Sequence, residues 1–257
     1  MNGDSAVLAA GDFVAVAIYL FLGWRFSQRM VSPENRLPML QFALFWTGLA
    51  LVTFIGGVES AAAAFATPAL SLVLSLYYIE ILALCAVLWG LVGYLIHLYT
   101  GRNHLIPVTA IYALLYVLLV YFVTASRPDA VSVSLGAVGV KYAMTVGGPF
   151  LAILALLLVI PELLFSILYF TLFFRTQDPT ARYRIALVSW GLLAFFGLDF
   201  VDVAARLGGG TAAVGASAVL TLVPVLVILI AYYPPRVVRE RLGVRGIETV
   251  AYPLTGQ

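Results

Sequence analysis

The sequence predicts an all-α membrane protein, a seven-transmembrane helix bundle with its N-terminus outside and its C-terminus in the cytoplasm. Three observations predict it. The 257 residues are 63% hydrophobic and 10% charged, with a mean hydropathy of +1.06, whereas about a quarter of the residues of a soluble domain are charged. Seven apolar stretches follow one another along the chain, each near the roughly 20 residues that span about 30 Å of hydrocarbon. Basic residues gather in alternate connections, as they do in cytoplasmic loops.

The first span is expected at Ala6–Phe26. No Lys or Arg precedes Arg25, so the positive n-region of a signal peptide is missing and the helix is expected to stay in the mature protein. The second and third spans are Pro38–Val58 and Leu70–Leu98. Between them, Glu59-Ser60 and the alanines 61–64 read as a short interfacial helix, with a break favoured by Pro68. The fourth span is Leu105–Thr124. The longest extramembrane segment, from Ala125 to Gly147, contains the alternation Val131-Ser132-Val133-Ser134-Leu135, which predicts a strand or hairpin limb over the bundle.

The fifth span, Gly148–Phe174, contains Pro161, which should kink the helix and leave a carbonyl near Leu157 without its donor. The sixth is Tyr183–Val203. A flexible turn at Gly208-Gly209-Gly210 leads to the seventh, Ala212–Tyr233, with a second proline kink at Pro224. Pro234-Pro235 ends that helix. The chain thus divides into a seven-helix domain, 1–235, and a short basic cytoplasmic tail, 236–257, whose arginines suit anionic lipid headgroups. The tail is too short for a kinase or cyclase output domain.

Orientation follows from eleven arginines assigned to the inner side, Arg25, Arg29, Arg36, Arg102, Arg175, Arg182, Arg184, Arg236, Arg239, Arg241 and Arg245, against Arg127, Lys141 and Arg206 outside. Trp24, Tyr94, Tyr99, Tyr169, Tyr183, Tyr232 and Tyr233 fall near the inner helix ends, where most are expected to be interface anchors. Arginine-rich, lysine-poor and alanine-rich usage points to a GC-rich prokaryote, hence the plasma membrane of a bacterium or archaeon.

Glu80 and Glu162 are the candidate functional groups, because a carboxylate within hydrocarbon is costly unless paired, hydrated or protonated. Tyr77 lies one turn before Glu80 on the same face. Ser166 and Tyr169, at i+4 and i+7 from Glu162, extend a polar stripe. The five residues form the predicted ligand- or proton-binding set if α-helical neighbours bring them together; otherwise each glutamate is a separately satisfied carboxyl. Asp12, Glu59, Asp199 and Asp202 form a secondary polar cluster toward the outer helix ends, and Asp202 is spaced to pair with Arg206. Gly90 and Gly93 permit close helix approach.

Catalytic, metal and cofactor chemistry find no footing. The single cysteine, Cys85, excludes an intrachain disulfide, and two histidines, His97 and His104, are too few for a transition-metal site. Microbial rhodopsins share the layout, but retinal requires a lysine in the seventh helix and the only lysine here is Lys141. No nucleophile and base can be paired, so the protein is not expected to be an enzyme. No cofactor and no nucleic-acid partner is expected.

The stretch Tyr94-Leu95-Ile96-His97-Leu98-Tyr99-Thr100-Gly101-Arg102 resembles the end of the third helix in the seven-transmembrane sensor region of prokaryotic histidine kinases. Thr180-Ala181-Arg182-Tyr183-Arg184-Ile185-Ala186-Leu187-Val188 resembles that region's basic connection into helix six. The likeness covers about half the chain. It implies a sensing module feeding a cytoplasmic output, here a separate signalling partner. Two functions follow: a membrane sensor or receptor-like protein binding a small ligand in an outward-facing intramembrane cavity, or a small-solute or proton-coupled transporter using the buried glutamates.

Overall fold

The computed structural model describes residues 3–28, 33–65, 70–102, 104–125, 131–136, 139–144, 160–208 and 211–245. The chain is helical, with α1 (Gly3–Ser27), α2 (Pro33–Phe65), α3 (Leu70–Thr100), α4 (Leu105–Ala125), α5 (Ile160–Arg175), α6 (Pro179–Gly208), α7 (Thr211–Tyr232) and α8 (Arg236–Leu242). One antiparallel hairpin, β1 (Val131–Gly136) and β2 (Gly139–Met144), stands between α4 and α5, with Val131 opposite Met144. The alternating Val-Ser run thus forms a hairpin limb, and β2 lies against α2 and α6.

Among the described residues, three helices are long and apolar enough to cross a membrane, over Ala9–Ser27, Arg36–Ala62 and Tyr78–His97; α7 and α8 make a fourth if the pair, bent by 54°, is one span. Their outward faces stay apolar. Leu20, Phe21, Leu44, Leu51, Phe54, Leu82 and Leu226 are all exposed, an amount of apolar surface that lipid accepts and water does not.

Sequence neighbours pack together along α1–α2–α3–α4 and α5–α6–α7, while α7 returns against α1 and α3 touches α5. The chain direction alternates. The C-terminal ends of α1 and α7 meet through Arg25, whose Nε donates to Tyr233 Oη at 3.0 Å. The start of α6 joins them, since Tyr183 Oη donates to the Ile230 carbonyl at 3.4 Å. At this same end, Phe26 of α1, Phe42 of α2, Tyr94 of α3 and Tyr232 of α7 close on one another, with ring centroids 4.6 Å apart for Phe26–Phe42, 4.5 Å for Phe42–Tyr94 and 5.1 Å for Phe26–Tyr232. Trp46 fills the middle, fully buried, with the rings of Tyr19, Phe26, Phe42, Phe45 and Tyr232 within 6.5 Å. Edge-to-face and offset pairs of this kind add to the area that large rings bury.

The backbones of α2 and α3 approach closely. A Cβ at Gly90 would stand 2.5 Å from the Gln41 carbonyl oxygen and 3.1 Å from the Phe45 nitrogen, so only glycine fits. The small-residue reading of Gly90 and Gly93 therefore holds, and Gly48 makes the reciprocal approach to Val87.

Two expectations are corrected. Helix α2 runs unbroken through Glu59, Ser60 and the alanines to Phe65, with Pro38 inside it. Alanine has the highest helix propensity, and no proline interrupts the chain between Pro38 and Phe65, so the segment simply continues α2. Tyr94, Tyr169 and Tyr232 are not interface anchors but core, each at most 8% exposed. They pack into one buried cluster with Phe42 and Trp46. Trp24 is 54% exposed, as the anchor expectation requires.

Candidate functional site

Polar side chains are buried at both ends of the bundle, and the two sets differ in kind. At the end opposite the arginines, Thr53 and Ser60 lie seven residues apart on one face of α2 with Gly57 between them. Gly57 lets α1 come close: a Cβ there would stand 3.2 Å from the Asp12 Cβ and 3.3 Å from the Phe13 ring. Thr53, Glu59 and Ser60 are buried and Asp12 is half-buried. Asp12 and Glu59 of the predicted outer cluster thus stand on packed neighbouring helices, but only the Thr53, Gly57 and Ser60 face of α2 meets Asp12; Glu59, about 160° round the helix from Gly57, is buried on another face. A threonine and a serine at i, i+7 flanking a glycine were the sequence signal for that stripe.

Glu80 lies on the stripe of α3 that continues through Ala83, Val87, Leu91 and Tyr94, all buried, so it belongs to the inward face and is itself half-buried. Helix α5, which carries Glu162, packs beside α3. The side chains of Glu162, Ser166, Tyr77, Asp199 and Asp202 lie outside the described residues. So does the segment before Ile160, and with it the expected carbonyl near Leu157. Tyr169 belongs to the aromatic core.

The arginine end holds the second set. Gln41 is fully buried with neither amide atom hydrogen-bonded, its amide lying against Gly93. One turn further along α3, His97 Nδ1 is also enclosed without a partner. Arg184, 6% exposed, donates through Nη2 to the Arg245 carbonyl at 2.8 Å, and the Arg245 amide donates to Thr180 Oγ1 at 3.3 Å. Asp178 starts α6 as an N-cap, accepting from the Ala181 amide at 2.7 Å with Pro179 at the first helical position. Gln41 and Arg184 escaped sequence reasoning, which weighed carboxylates above amides and read Arg184 only as one of the inner charges that set orientation.

Among the described residues, no group of three or more His, Cys, Asp or Glu side chains could hold a metal ion. Carboxylates and hydroxyls thus stand toward one end of the bundle and a packed aromatic layer toward the other. Compared with protein-family models, curated proteins and solved structures, the chain finds no match.

Proposed function

We propose that the protein is a seven-helix membrane sensor or receptor-like protein, oriented with its N-terminus outside and its C-terminus in the cytoplasm of a bacterial or archaeal plasma membrane. The observation that carries this reading is the asymmetry of the bundle. Buried Thr53, Glu59 and Ser60 and half-buried Asp12 stand near one end, with Glu80 on the inward face of α3, whereas the rings around Trp46 close the other. A polar set near one end, with packed rings closing the other, suits sensing better than alternating access, which needs a path open to each side in turn. Ligand binding then acts by favouring one arrangement of the helices over another, and the arginine-rich end presents that change to a separate cytoplasmic or membrane signalling partner, as the likeness to histidine-kinase sensor regions implies.

Thermal unfolding of the detergent-solubilised protein against a panel of small organic cations and polyols tests the reading. A ligand should raise the midpoint for the wild type, and Glu80→Gln or Glu59→Gln should lose that rise. Uptake of the same solute into proteoliposomes, abolished by Glu80→Gln with Glu162→Gln, would favour the transporter instead.

A further inference from the structure

We propose that α8 is an interfacial helix that docks on an anionic phospholipid surface and is held in place by Arg184 and Thr180; the proposal rests on the membrane reading above. Pro234 and Pro235 supply no amide donors, so α7 stops and α8 leaves its axis at 54°. None of the residues of α8 is buried. Val237 and Leu242, 60% and 56% exposed, fall with Val238 inside one arc of about 140° at 100° per residue. Arg236, Arg239 and Glu240 occupy the other side. Arg241 interrupts the apolar arc, where its stem can lie along lipid while its head reaches the phosphates.

The helix does not swing freely. Gly243 adopts the left-handed conformation, φ 64°, that ends α8, and Val244 turns back to be 3% exposed. The next residue is gripped from both sides of its peptide, its carbonyl by Arg184 and its amide by Thr180. A seven-residue helix is thereby fixed at an angle to α7 with its apolar side chains uncovered.

Charge and position select the occupant. Arg102, Arg175 and Arg182 are exposed at the same end, and Trp24 and Phe174, 54% and 76% exposed, mark the level at which aromatic rings meet headgroups. Glu240 is already paired with Arg236 at 2.7 Å, so it does not cancel the arginines beside it. An amphipathic basic helix at that level fits a negatively charged bilayer surface.

The test uses the full chain with Val237→Cys or Leu242→Cys carrying an environment-sensitive fluorophore, in nanodiscs of phosphatidylcholine with or without phosphatidylglycerol. The unsubstituted chain controls for Cys85, which is buried. Phosphatidylglycerol should shift emission to shorter wavelength and cut quenching by aqueous acrylamide about twofold, an effect lost in Arg236→Gln/Arg239→Gln/Arg241→Gln. Monodisperse elution of each labelled variant shows that it folds. Labels equally wet, or equally shielded, in both bilayers would overturn the proposal while leaving the membrane reading intact. A chain recovered outside the nanodiscs would overturn both.

Discussion

Gln41 and Gly90 show how narrow the seam between α2 and α3 is. Gln41 is fully enclosed with neither amide atom paired, and a buried polar group left unsatisfied costs about 1–3 kcal/mol. Gln41→Met, which keeps the length and removes the polar atoms, should leave the thermal midpoint of the solubilised protein unchanged or raise it. A fall of several degrees would mean that the amide is hydrogen-bonded after all. Gly90→Ala should do the opposite, because the added carbon meets backbone, the Gln41 carbonyl oxygen at 2.5 Å, and overpacking costs about 1–3 kcal/mol. Gly93→Ala meets only the movable Gln41 amide, so it should cost less than Gly90→Ala, and Gln41→Ala should relieve it in the double variant. Equal losses at both glycines would contradict this packing.

At the scale of elements, the tail is a structural part of the bundle end. Arg184 and Thr180 lie in the first turns of α6, set by the Asp178 cap, and both hold Arg245 more than sixty residues later. Arg184→Ala should free residues after α8, so trypsin should cut the tail of the solubilised protein faster while the rest of the chain resists. Protection unchanged in that variant would show that Val244, 3% exposed, suffices to seat the tail. The hairpin is the opposite case. Among the described residues its strands pair only with each other, and β2 rests against α2 and α6.

At the scale of the whole molecule, alternating helix directions place Arg25, Arg36, Arg102, Arg175, Arg182, Arg184, Arg236, Arg239, Arg241 and Arg245 at one end, with the hairpin at the other. The proposed orientation predicts accessibility. In intact cells a membrane-impermeant maleimide should label Ser134→Cys in β1 and spare Arg241→Cys in α8 until the cells are permeabilised. The reverse pattern would invert the topology. Cys85, buried on α3, should stay unlabelled in both conditions.

Much of the fold was legible in the sequence, because lipid demands long apolar helices and charge bias marks their ends. Among the described residues apolar length located three helices long enough to cross a membrane, or four with the bent pair, and helices within the other expected spans, the fifth described only from Ile160; the Val-Ser alternation located the hairpin, and Gly90 marked a close approach. The candidate site was legible only in part: Asp12, Glu59 and Glu80 were visible as carboxylates in apolar surroundings, whereas Thr53, Ser60 and Gln41 are ordinary residues until a neighbouring helix encloses them. Sequence by itself determined which segments are apolar helices and where their arginines lie, since both depend on residue type and spacing along one chain. Only the tertiary structure decided that Tyr94, Tyr169 and Tyr232 are core, that Arg184 is buried against the Arg245 backbone, and that Asp12 meets Gly57. Those facts depend on which face of one helix meets which face of another, and a helix that is apolar all round carries no periodic mark of the side that turns inward.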